Sequence, residues 1–150
     1  MKSDTANPIE RSPVHLLHRA HQAVSQVFAA GMQTNDLTAR QLAVLVAVAE
    51  NEGLSQTDIG ERTGVDRSTL ADVVKRLKGK GLLQRKRTKE DARAYAVKLT
   101  EEGRKVLRTA EPLARRVDER ILDTLPAKRR AEFMSALASI IGALEAPAAA

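Results

Sequence analysis

Ten basic residues fall between Lys75 and Lys98: Lys75, Arg76, Lys78, Lys80, Arg85, Lys86, Arg87, Lys89, Arg93 and Lys98. The same stretch holds two acids, Glu90 and Asp91, so it carries +8 while the rest of the 150-residue chain carries −2. Cations at this density are suited to holding a polyanion by displacing its counterions. A solvated charged face is the plain alternative, and the elements that carry the charges decide between the two. Other chemistry is poorly provided for. The chain has no cysteine, which excludes disulfides, thiolate metal sites, cysteine nucleophiles and thiol redox sensing. His15, His18 and His21 recur at i, i+3 and i+6, but the outer two lie about 120° apart on a helical wheel. No neighbouring carboxylate completes a set, so no metal site is expected. No Ser/His/Asp spacing, phosphate-binding loop or G-x-G-x-x-G is present, so neither an enzyme nor a cofactor is expected. The only aromatics are Phe28, Tyr95 and Phe133, too few for a base-stacking platform on single strands. Duplex nucleic acid is the polyanion that fits.

The cationic segment needs elements to position it. Hydrophobic residues make up 43% of the chain, enough for a packed core, and no repeat or second domain boundary interrupts it. Apolar runs fall far short of the roughly 18 residues of a membrane span, and residues 1–13 lack the apolar core of a secretory signal. A soluble, cytoplasmic protein with no membrane partner is the expectation.

Residues 1–13 read as a loose polar tail. Leu17, Ala20, Val24, Val27 and Phe28 recur at helical spacing and predict a helix over 14–32. Three helix starts then repeat one pattern. Thr38 caps with Gln41 three residues on, between Leu37 and Leu42. Ser55 caps with Asp58, between Leu54 and Ile59. Asp66 caps between Val65 and Leu70. The three predict helices over 38–50, 56–62 and 67–78. Gly64 falls just past the second of these, where a left-handed conformation suits glycine, and Gly60 leaves room for a neighbouring helix. Two short helices joined by a tight turn make a helix-turn-helix. On the second of them, Leu70, Val73, Val74 and Leu77 face inward, while Arg67, Ser68, Ala71, Asp72, Lys75 and Lys78 face out. That outer face is slim enough to enter a major groove.

After Gly79 and Gly81, residues 82–87 and 94–99 read as a two-stranded hairpin with a polar tip at 88–93. Tyr95, Val97 and Leu99 are expected on its buried face. Thr100 caps a long amphipathic helix over 101–123, which Pro112 is expected to kink or interrupt. Pro126, at a first-turn position, starts a last helix to 145, with Phe133, Met134, Leu137, Ile140, Ile141 and Leu144 on its apolar face. The fold class is mainly α with a small β-wing.

The order and spacing of these features resemble the MarR-type family of bacterial winged-helix regulators over about Thr38 to Leu107. The most specific piece is the wing signature D-x-R-x-x-x-V-x-L-T. Here it reads Asp91-Ala92-Arg93-Ala94-Tyr95-Ala96-Val97-Lys98-Leu99-Thr100, with every fixed position filled. Gly53-Leu54-Ser55-Gln56 and Val65 to Leu70 are also typical. Gly60 departs from the alanine of many members but keeps the residue small. The resemblance implies one domain with a DNA-binding lobe at 38–100, its wing at 82–99, and dimerisation helices at 14–32 and 101–145. The apolar stripes at both chain ends independently ask for a partner, either each other or a second chain.

On that reading Arg67, Ser68, Thr69 and Asp72 approach base edges or phosphates, Lys75 and Arg76 hold phosphates, and Gln56 and Thr57 donate to a phosphate. Arg85, Arg87 and Lys89 are the other wing contacts, Arg93 reaches the minor groove, and Asp91 orients Arg93. Plainer roles exist for some of them: Asp72 can pair with Arg76 at i, i+4, and Asp91 can be a turn residue. The family also implies repression of a pseudopalindromic operator and release by a small, often aromatic or anionic, effector. His15 and Arg19 are the candidate anion partners, with interface or surface roles as the plainer reading. The alternatives are an effector-independent or architectural DNA-binding protein and a winged-helix protein adaptor. The adaptor would not need a +8 segment.

Overall fold

Each of three successive helices begins where a short polar side chain ties down a free backbone N–H. In the computed structural model, which describes residues 8–32, 35–87 and 95–145, Thr38 Oγ1 accepts from the Gln41 N–H at 3.1 Å and Gln41 Oε1 accepts from the Thr38 N–H at 3.1 Å. Ser55 and Asp58 repeat this reciprocal box, and Asp66 caps through the Thr69 N–H. The resulting helices are α2 (Ala39–Glu50), α3 (Gln56–Thr63) and α4 (Arg67–Gly79), preceded by α1 (Pro13–Gly31). Gly64 adopts φ 69°, the left-handed conformation expected of the residue that ends α3. A Cβ on Gly60 would stand 3.3 Å from Leu70 Cδ2, so its smallness lets α4 approach α3.

The chain continues through β1 (Leu83–Arg87), β2 (Tyr95–Leu99), α5 (Glu101–Leu122) and α6 (Ala127–Leu144). The two strands pair antiparallel with Leu83 opposite Leu99, Arg85 opposite Val97 and Arg87 opposite Tyr95. The Val97 N–H donates to Leu54 O at 2.9 Å, which ties β2 to the segment leading into α3. The root of the hairpin is bolted to α5. Thr100 Oγ1 donates to Gly81 O at 2.6 Å, the Thr100 N–H donates to Leu82 O at 3.1 Å, and Thr100 Oγ1 caps α5 by accepting from the Gly103 N–H. Gly103 lies so close to Leu82 O that a Cβ would collide with that backbone oxygen.

One core serves the lobe. Val44, Leu45 and Val48 of α2, Ile59 of α3, Leu70, Val74 and Leu77 of α4, and Val97 and Leu99 of β2 are all buried, with Leu107 and Ala110 of α5 beside them. The inward face expected for α4 is the one observed.

Several expectations need correction. Part of the expected tail is ordered: Pro8–Arg11 forms a 3-10 turn, and Ser12 caps α1 with Pro13 at its first position. α5 runs unbroken through Pro112. Pro112 and Arg108 both lie on its exposed side, where water can satisfy the carbonyl that the missing N–H leaves free. Pro126 is the residue before α6, not its first. Tyr95 is exposed, whereas Ala96 is buried with Val97 and Leu99. The hairpin has run past the core by residue 95, while α2, α3 and α5 cover its root. α5 carries one of the terminal apolar stripes that asked for a partner, yet its first half completes the lobe core. α1 and α6 contain no buried residue. Val14, Leu16 and Leu17 on α1 and Met134, Ile140, Ile141 and Leu144 on α6 are exposed.

Candidate nucleic-acid interface

The outward side of α4 is polar along its length. Arg67, Ser68, Asp72, Lys75 and Arg76 are exposed and Thr69 is half-buried. At its start, Asp66 gathers three donors. The Thr69 hydroxyl donates at 2.6 Å, the Thr69 N–H at 2.9 Å and the Ser68 hydroxyl at 3.0 Å. The Thr69 hydroxyl and N–H, with the Ser68 hydroxyl after them, hold the Asp66 carboxyl down at a pKa of about 2. The same contacts change what Ser68 and Thr69 can do. Their protons are committed to Asp66, so their free lone pairs suit an amino group on a base edge better than a phosphate oxygen. Asp58, on the far side of the turn, is likewise lowered, first by the Ser55 hydroxyl, then by the Ser55 N–H, with Arg62 adding to it.

Along α4, Arg76 Nε donates to Asp72 Oδ2 at 2.9 Å, the i, i+4 pairing that was the plainer reading of Asp72. Lys75 meets no carboxylate among the described residues. At the far end of α4, Lys80 Nζ donates to Asp36 O at 2.7 Å and stands 3.8 Å from Asp36 Oδ2. Asp36 holds φ 44°, so this clamp ties the end of α4 to a constrained loop before α2. Nothing local in the sequence signals it, because the partners are 44 residues apart.

The wing strand stands beside this helix pair. Arg85 Nη2 donates to Gln56 Oε1 at 2.7 Å, joining β1 to the first residue of α3. Arg87 Nε donates to Tyr95 Oη at 3.4 Å, with its guanidinium 5.8 Å from the ring centre. Gln56, Thr57 and Arg67 line one cleft between α3 and α4, and Arg85 reaches it through Gln56, whereas Arg87 is held across the hairpin by Tyr95. Lys89, Asp91 and Arg93 lie outside the described residues.

Above the lobe, a cavity of about 780 Å³ opens between α1, α2, the end of α3 and α5. Its wall mixes apolar residues, including Val24, Phe28, Leu42, Val46 and Ile121, with two cations, Arg62 and Arg115, and three carboxylates, Glu50, Glu111 and Asp118. His15 and Arg19 sit nearer the start of α1 and do not line it. A Cβ on Gly64 would come within 3.3 Å of the Glu145 carboxylate, so the end of α6 reaches the helix-turn-helix turn. Among the described residues, no helix is long and apolar enough to cross a membrane.

A family model described as MarR family matches residues 35–94. The transcriptional regulator HosA of Escherichia coli O127:H6 is 38% identical over 99 residues, covering 66% of this chain and 73% of HosA. This chain belongs to the MarR family. Its fold agrees with solved structures of such regulators. PcaV of Streptomyces coelicolor, in complex with its natural ligand, superposes with a TM-score of 0.84 at 35% identity, covering 91% of this chain and 96% of PcaV. The repressor CouR, bound to a 23-mer DNA duplex, gives 0.81 at 30% identity, covering 89% and 95%. As a MarR-family chain the protein is a transcriptional regulator with a winged helix-turn-helix, and its relatives are regulators, not enzymes.

Proposed function

We propose that the protein is a homodimeric repressor that reads a pseudopalindromic duplex operator and leaves it when a small aromatic or anionic ligand binds. The observation that carries this reading is the set of exposed polar and cationic residues on the outer face of α4 and on β1, joined to the start of α3 by the Arg85–Gln56 hydrogen bond, with a core packing their inner faces. Arg67, Ser68, Thr69 and Asp72 are assigned to base edges and nearby phosphates. Lys75, Arg76, Thr57, Arg85 and Arg87 are assigned to phosphates, which set register without reading sequence. Arg93 is assigned to the wing contact by the family motif, with Asp91 orienting it, and Lys89 by its place in the basic segment 75–98.

The unburied apolar faces of α1 and α6 support a dimer, and two-fold symmetry then places half-sites about 10 bp apart. The cavity supports the ligand. It lies within the roughly 300–1,000 Å³ typical of small-molecule sites, its apolar residues suit a ring, and Arg62 or Arg115 can meet a carboxylate where Glu50, Glu111 and Asp118 do not already neutralise it. A ligand that fits one spacing of the lobes better than another shifts the population away from the DNA-bound form. CouR on its duplex and PcaV with its ligand are precedents for both partners.

The test is selection of duplexes from a random pool, followed by anisotropy titration. The reading predicts an enriched site with two symmetric half-sites. It also predicts that affinity falls by roughly 10³–10⁵ between low and moderate salt as 6–10 phosphate contacts are screened. Recovery of no preferred duplex would overturn it.

A further inference from the structure

The cations of this chain are held in two different ways. Arg76 is paired with Asp72, Arg104 with Glu52 and Glu101, Arg130 with Asp123, and Lys80 with Asp36. Each pair sets a carboxylate beside the cation and offsets part of its charge. The two wing arginines are fixed differently. Arg85 donates to the amide oxygen of Gln56 and Arg87 to the phenol oxygen of Tyr95. Among the described residues, neither meets a carboxylate. The partners are a carboxamide and a phenol rather than carboxylates, so each guanidinium is oriented with no carboxylate against it.

The geometry favours this arrangement. Residues 85 and 87 are two apart on β1 and so point to the same face of the hairpin. Arg85 lies opposite Val97, and Val97 is tied to Leu54 two residues before Gln56. The amide is thus carried to the wing by a backbone hydrogen bond that also sets the wing against α3. Long cationic side chains lose freedom when they settle on a phosphate, and a side chain already restrained loses less. A carboxylate brace would give the same restraint but remove the net charge on which counterion release depends. Only one of the guanidinium N–H donors of Arg85 is used by Gln56, which leaves the others for a phosphate.

We propose that Gln56 and Tyr95 are positioning residues that act on DNA through Arg85 and Arg87, holding them pre-oriented and fully charged for the phosphate backbone. This deepens the DNA-binding reading and rests on it. Gln56, expected to donate to a phosphate itself, then works mainly as an acceptor for Arg85.

The experiment is a double-mutant cycle on a duplex recovered from the random pool, titrated over a range of salt with the full-length protein. Gln56→Met removes the acceptor at similar length. It should weaken binding roughly two- to tenfold, the scale of one hydrogen bond. It should leave the salt slope near the wild-type value, because Arg85 keeps its charge, whereas Arg85→Ala lowers the slope by about 0.9 per protomer. In the Arg85→Ala background Gln56→Met should change nothing. Gln56→Glu keeps an acceptor but pairs the charge, so it should preserve thermal stability and lower the slope. Tyr95→Phe should act through Arg87 as Gln56→Met acts through Arg85. Equal losses from Gln56→Met in both backgrounds would show that Gln56 touches DNA directly and overturn the proposal, as would unchanged affinity. A wild-type protein that selects no duplex overturns the parent reading instead, so the two failures are distinguishable.

Discussion

The lobe and the terminal helices make opposite uses of apolar residues. In the lobe, α2 alone buries Leu42, Val44, Leu45, Ala47 and Val48, and α4 buries every residue of its inward face. α1 and α6 have comparable apolar stripes, and neither buries a single residue in the protomer. Leu144 is 80% exposed and Val14 67%. The lobe therefore satisfies its own hydrophobic requirement, whereas the terminal helices have one that only another surface can meet. α5 bridges the two regions. Its first half packs into the lobe core and Val117, further on, packs beside Gly31 of α1. One helix thus contacts both the wing root and α1.

Breaking either side of this contrast should have distinct consequences. The largest effect on assembly is expected at α6. Ile141→Glu places an unpaired charge on the exposed apolar face and should weaken self-association by roughly a hundredfold, on the order of 3 kcal/mol. Sedimentation would report monomers while circular dichroism shows the lobe still folded. Leu45→Ala should do the reverse. It opens a cavity in the lobe core, costs roughly 2–5 kcal/mol in a denaturant melt, and leaves the dimer contact intact at low temperature.

Gly103→Ala sharpens the role of the bridge. The methyl has no room beside Leu82 O, so α5 must shift off the wing root at a cost of roughly 1–3 kcal/mol. Because the shift moves the hairpin, DNA affinity should fall more than the loss of folded protein explains. A melt and a titration of the same sample separate the two effects.

The smallest effect concerns Asp66. Its carboxyl pKa is lowered from 3.8 to about 2 in the folded state, so folding favours the ionised form. That contribution is complete above about pH 4 and is lost as pH falls through the folded value. Asp66→Asn should show a shallower drop in melting temperature than wild type between pH 4 and 2. Parallel profiles would show that the cap does not titrate with folding.

Much of this organisation is legible in the amino-acid sequence because it is local. A cap acts over three residues, and an inward face follows from the helical period, so Thr38, Ser55, Asp66 and the stripe Leu70, Val73, Val74 and Leu77 could be assigned directly. The MarR-type wing signature was legible for the same reason. Three features were not. The steric need for Gly103 depends on Leu82, brought back by the hairpin. The Lys80–Asp36 clamp and the Arg85–Gln56 brace join residues 44 and 29 positions apart, and no periodicity reports such an approach. Tyr95 was misplaced because alternation tells which residues share a face, not how far the core extends beneath it. The cavity is likewise a property of helices assembled from distant segments, so no spacing in the sequence points to its lining residues.

The central claim is that two copies of this lobe, joined by the unburied faces of α1 and α6, read one duplex together. The most direct measurement is the mass of the complex on a duplex recovered by selection, with footprinting of the same sample. The account predicts two protomers per duplex and two protected half-sites about one helical turn apart. One protomer per duplex, or a footprint without two-fold symmetry, would contradict it.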